Sequence, residues 1–113
     1  MYPSQHDFLR HVLEECRFIL LVTQGKSKEV IVVDETVTRA IVRSLEIIGE
    51  ATKRLHPDFK LQHPQVEWKK MAATRDRMIH DYFGIDYDIV WSIITDKIPE
   101  LEFQIVEILK KSE

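Results

Sequence analysis

Apolar residues recur at helical spacing along almost the whole chain. Leu9, Leu13, Cys16 and Leu20 fall three or four positions apart, and Phe8, Val12 and Ile19 widen them into a core-facing stripe. Ser4 is placed to cap this first helix, with Asp7 near its positive end, and Gly25 closes it. Residues 29–33, Glu-Val-Ile-Val-Val, favour extended backbone locally because β-branched side chains do. No second strand signal exists to pair with them, so a short helix or helical turn imposed by packing is expected. Asp34 and Thr36 can cap a long second helix to about Leu55, with Val37, Ile41, Leu45, Ile48 and Leu55 as its stripe and Ala40 and Ala51 alongside. His56-Pro57 ends it, and a loop is expected to about Pro64, which suits the first position of a helical segment. Glu67-Trp68 then opens a helix with Val66, Met71, Met78 and Ile79 toward the core, until Gly84 breaks the pattern. Asp86 caps the next helix, carrying Ile89, Val90, Ile93 and Ile94, with Trp91 widening its apolar side. Pro99 predicts a kink or a new start before the stripe Leu101, Ile105, Ile108 and Leu109.

The pattern predicts an all-α protein, an antiparallel helical bundle of four to five helices forming a single domain over residues 1–113. Three Gly and four Pro in 113 residues, with 44% hydrophobic and 31% charged positions, agree with few turns and long amphipathic helices. The formal charge of −3 provides no global positive field, so any nucleic-acid role must rest on a local basic patch. Cys16 is the only cysteine, which rules out an intrachain disulfide and fits core packing in a reducing compartment. Residues 1–25 lack the pattern of a signal peptide, and no apolar run approaches about 18 residues. A soluble cytoplasmic protein without membrane association is expected.

Several polar positions have ordinary structural readings. His6 and His11 are about 140° apart on a helix, and His56 and His63 flank a loop, so neither pair predicts a metal site. Gly49, inside a helix, predicts close approach of a neighbouring backbone. Arg43, Glu46 and Glu50 share a helix face and can form an ion-pair ladder, while Arg39, Arg43, Lys53 and Arg54 ring the exposed side, read as a solvated face. Trp68 is large enough to anchor the bundle or a partner surface.

The most chemically loaded stretch is Arg75-Asp76-Arg77-Met78-Ile79-His80-Asp81-Tyr82, which reads Arg-x4-His-x-Tyr. With Arg43-Ser44-Leu45-Glu46-Ile47-Ile48-Gly49-Glu50-Ala51 and the run from Asp81 through Gly84 to Val90-Trp91, it resembles the HEPN superfamily. The similarity is to the HepT-type toxins that pair with a minimal nucleotidyltransferase antitoxin. It extends over nearly the whole chain. On a regular helix Arg75 and His80 would lie about 140° apart and could not converge on one small ligand. Either the helix unwinds near His80, or two copies meet about a twofold axis. The resemblance implies the second route, a composite cleft in a homodimer or higher oligomer.

Metal-independent RNA cleavage needs a base for the 2′-hydroxyl, positive charge for the transition state and an acid for the leaving oxygen. His80 supplies the acid/base type and Arg75 the phosphate clamp. Asp76, four residues before His80, would share a helix face with it and could orient the imidazole; HEPN proteins frequently carry Asn there. Lys69, Lys70 and Arg77 could extend an RNA track. The resemblance further implies that Tyr82 accepts nucleotidyl groups from the antitoxin, with ATP as the antitoxin's donor and Tyr87 as a decoy. No cofactor or metal of the chain's own is expected. The competing expectations are a non-catalytic HEPN adaptor that binds a nucleotidyltransferase or nucleotide, and a plain dimeric helical bundle.

Overall fold

The computed structural model describes residues 4–80 and 84–111, with the backbone alone at Ile79 and His80. The first helix, α1 (Gln5–Thr23), begins as its sequence predicts. The Ser4 hydroxyl accepts from the Asp7 N–H at 3.1 Å, and the Asp7 carboxylate accepts from the Ser4 N–H at 2.9 Å. This reciprocal cap satisfies two otherwise orphaned donors. Gly25, at φ 72°, follows the helix end. Helix α2 (Lys28–Val33) replaces the locally strand-like preference with one and a half turns whose buried residue is Ile31. Thr38 locks it in place by donating to the Ile31 carbonyl at 2.9 Å.

Asp34 caps α3 (Glu35–Arg54), whose Ile41, Leu45 and Ile48 are buried against α1. The expected loop after His56 instead contains α4 (Pro57–Gln62). Pro57 is pre-set for the first helical turn, and the His56 imidazole caps it by accepting from the Asp58 N–H at 3.1 Å. Pro64 therefore opens no helix. The Trp68 indole N–H donates to the Lys60 and His63 carbonyls at 3.1 and 2.9 Å, satisfying the end of α4. Trp68 is an internal clasp, only 8% exposed, and offers no surface anchor.

The single helix expected to carry the signature is two short ones, α5 (Trp68–Ala72) and α6 (Thr74–Met78), separated at Ala73. After Met78, itself fully buried, the chain is extended. Ile79–His80 (β1) pairs antiparallel with Gly84–Ile85 (β2), and the Asp86 N–H donates to the Met78 carbonyl at 2.7 Å. Gly84 has φ 123°, a conformation that L side chains rarely adopt. Asp86 caps α7 (Tyr87–Ser92) by accepting from the Ile89 N–H. Of the kink or new start expected at Pro99, the structure has the new start. A π-helical turn (Ile93–Lys97) joins α7 to α8 (Ile98–Lys111), and Pro99 lies in the first turn of α8, where its missing N–H disrupts the ladder least. The core is a contiguous apolar cluster in which α1 packs against both α3 and α8. The all-α helical bundle holds: α1, α3 and α8 are its long helices, with shorter helices between them and, among the described residues, one two-residue strand pair. Among the described residues, no helix is long and apolar enough to cross a membrane.

Candidate functional site

Gly49 determines how the signature segment meets α3. A Cβ built there would lie 3.5 Å from the carbonyl oxygens of Met71 and Ala72, so α5 rests directly on this turn of α3. One turn earlier on the same face is Glu46. Its Oε2 accepts from Arg75 Nε at 3.3 Å, with the Arg75 side chain 60% exposed and Glu46 30%. Among the described residues, Nε is the one Arg75 nitrogen with a carboxylate acceptor within reach. The expected ladder of Arg43, Glu46 and Glu50 does not form: Glu46 pairs with Arg75, and Glu50 with Lys53 at 3.6 Å.

Arg75 and Asp76 line one open groove of about 270 Å³, together with Arg43, Glu46, Glu50 and Lys53. The structure does not bring the remaining basic candidates to it. Lys70 and Arg77 line a separate apolar recess beneath α8, and Lys69 is exposed on α5. The Lys70 ammonium is held by Glu67 at 2.7 Å, and the same carboxylate accepts from Lys97 at 2.9 Å. Those two hydrogen bonds hold the Glu67 carboxyl down to about 2. Lys70 is thus a surface lysine paired with Glu67, and neither it nor Arg77 lines the groove at Arg75.

His80 sits in extended backbone two residues beyond α6, opposite Gly84. The premise that Arg75 and His80 share a regular helix fails, and with it both the 140° separation and the shared face of Asp76 and His80. The helix does end before His80, the first of the two routes open to the sequence; this leaves the twofold arrangement without the angular argument. Tyr82 lies outside the described residues. Tyr87 opens α7. Among the described residues, no group of three or more His, Cys, Asp or Glu is placed to hold a metal ion.

Glu46 is the residue whose part the sequence understated. Its signal was its place one turn before Gly49, since a helical glycine that admits a neighbouring backbone also brings that neighbour's side chains to the adjacent turn.

This constellation falls within a recognised family. The model of the family described as "HepT-like: Ribonuclease HepT-like" matches residues 12–108, and the chain belongs to that family, within the HEPN superfamily. It is 51% identical to the "Putative RNase" of Caldanaerobacter subterraneus subsp. tengcongensis, over 92% of this chain and 93% of that one. A "Putative RNase" of Methanocaldococcus jannaschii is 43% identical over 94% of this chain and 88% of its own. The "Probable ribonuclease HepT" of Thermococcus cleftensis is 38% identical over 90% and 93%, respectively. No solved structure matches the chain significantly.

Proposed function

We propose that the chain is an endoribonuclease that cleaves single-stranded RNA without a metal, using Arg75 and His80. The observation that carries this reading is the state of Arg75 within the family-matched span: Glu46 accepts from its Nε, and the side chain lines the groove while remaining 60% exposed. A guanidinium so held presents two parallel donors to the oxygens of a phosphodiester. In the reaction, an imidazole takes the proton of the 2′-hydroxyl, whose oxygen forms a bond to phosphorus. The bond from phosphorus to the 5′-oxygen breaks, and that oxygen leaves with a proton from a second acid. The products are a 2′,3′-cyclic phosphate and a 5′-hydroxyl. His80 supplies one proton-transfer group, and the second comes from His80 of another copy if the active form is a dimer. Asp76, in the same groove as Arg75, serves the guanidinium's surroundings rather than the imidazole by way of a common helix face.

The family membership also supports a pairing with a nucleotidyltransferase antitoxin that modifies Tyr82 at the expense of ATP. The deciding experiment is cleavage of a labelled RNA in chelator by wild type, Arg75→Ala and His80→Ala, with end-group analysis. Both variants should lose most activity while keeping helical circular dichroism. Activity that vanishes in chelator and returns with magnesium would refute the mechanism, and activity undiminished in His80→Ala would mark a contaminant.

A further inference from the structure

The groove at Arg75 shares lining residues with a second one that the proposed reaction does not use. Arg43 and Glu50 line both; the second, of about 240 Å³, lies between α1 and α3 and is walled by Phe8, His11, Ile47 and Arg54. Residues 43, 47, 51 and 54 recur at three- and four-residue spacing, so one face of α3 forms the floor from end to end. The Phe8 ring is half-buried and packed against the core, yet it still lines this groove.

The charges along the two grooves are unevenly satisfied. Glu46 is taken by Arg75 and Glu50 by Lys53. Arg43 and Arg54 are exposed and have no carboxylate partner among the described residues, and Asp76 at the Arg75 end is likewise unpaired. Four cations, Arg43, Lys53, Arg54 and Arg75, thus face three carboxylates in a chain whose net charge is −3. The second groove alone holds both unpaired guanidiniums and only one carboxylate, already engaged.

We propose that this second groove is the binding path for the RNA nucleotides flanking the scissile phosphate. Arg43 and Arg54, eleven residues or about 16 Å apart along α3, hold two backbone phosphates separated by more than one nucleotide, and a base stacks on Phe8 with Ile47 beside it. The combination fits single-stranded RNA because an aromatic platform beside backbone cations is the usual means of holding unstacked bases without reading sequence. Arg43, shared by both grooves, sets the register by placing one phosphate next to the one that Arg75 holds. The inference rests on the ribonuclease reading and assigns its substrate path.

The test uses a single-stranded RNA oligonucleotide made uncleavable by one 2′-deoxy substitution, with affinity measured over a range of salt. The Arg43→Ala, Arg54→Ala double variant should bind about tenfold more weakly, and its log–log salt slope should fall by about 0.7 for each lost phosphate contact. Phe8→Leu should weaken binding about fivefold or more with little change in slope. Lys110→Ala, in the last turn of α8 outside both grooves, controls for general loss of charge, and thermal melting confirms that each variant is folded. If wild type cleaves and binds RNA but the double variant keeps its affinity and slope, the path lies elsewhere and the ribonuclease reading survives. If wild type neither binds nor cleaves RNA, both fall. Should the double variant instead dissociate a wild-type dimer in sedimentation, this face is a contact between copies and the inference is overturned.

Discussion

Glu46 and Arg75, 29 residues apart in sequence, meet at 3.3 Å across the seam between α3 and α6. The carboxylate fixes the guanidinium but also places negative charge beside the site where a phosphate would bind. Glu46→Ala should therefore lower kcat about tenfold, worth about 1.4 kcal/mol of transition-state stabilisation, with KM unchanged or lower. Glu46→Gln, which keeps an acceptor oxygen, should recover part of the loss. Steady-state cleavage of a fluorogenic RNA separates the two parameters. Equal loss in both variants would show that charge, not the hydrogen bond, is what Arg75 needs.

At Gly49 the two neighbouring carbonyls stand at ordinary contact distance from an added Cβ, 3.5 Å each. Gly49→Ala should be accommodated and should stabilise the fold by up to about 1 kcal/mol through helix propensity. The melting midpoint would rise by a few degrees, roughly 4 °C. Gly49→Leu must push α5 away, at a cost of about 1–3 kcal/mol, and should also separate Arg75 from Glu46. Thermal denaturation of the two variants gives the sign of each effect.

His63 lies against Phe59 with ring centroids 4.6 Å apart. Burial, then the nearby His6 and Lys111, hold its pKa below the ordinary 6.5. A histidine whose folded pKa is depressed binds protons more readily when unfolded. Its neutral form therefore supports the fold above about pH 6.5, and this support is lost as the pH falls through the lower folded value. The melting midpoint should decline from about pH 7.5 to about pH 5, and His63→Gln should flatten that decline. A wild-type midpoint level across this range would contradict the assignment.

The proposed antitoxin pairing predicts a covalent mark. Co-expression with a minimal nucleotidyltransferase should add one or more AMP masses, which fragmentation should localise to Tyr82 and not to Tyr87. Each AMP would add negative charge and a bulky purine and so oppose RNA binding. A fully inhibited protein with unmodified Tyr82 would point to occlusion without chemistry. Sedimentation at micromolar concentration should meanwhile give a dimer, and a strict monomer would leave His80 without its proposed second copy.

The long helices were legible because their information is local. Ser4 with Asp7, Asp34 and Asp86 each cap at the expected position, and the stripes of α1, α3 and α8 are buried largely as their spacing requires. What the sequence concealed depends on contacts between distant segments. The break at Ala73 has no proline or glycine to announce it; Gly84 signals unwinding near His80, but not that the chain leaves the helix at once after the buried Met78, whose carbonyl accepts from the Asp86 N–H. Trp68 reads as an anchor of the bundle or of a partner surface, and its buried ring and two carbonyl acceptors select the bundle. Arg75 was visible as a candidate clamp, but its partner Glu46 was not, since Arg43 and Glu50 offered nearer and simpler pairings on α3.

Cys16 is fully enclosed where α1 packs in the core, and burial there pushes its thiol up to about 12. Near neutral pH almost none of it is thiolate, the form that reacts with alkylating reagents. The chain thus contains a built-in clock for its own opening. Because there is no other thiol to compete, the rate at which a maleimide or iodoacetamide consumes Cys16 counts how often α1 parts from α3 and α8, and a bound RNA strand bridging α1 and α3 would slow that count.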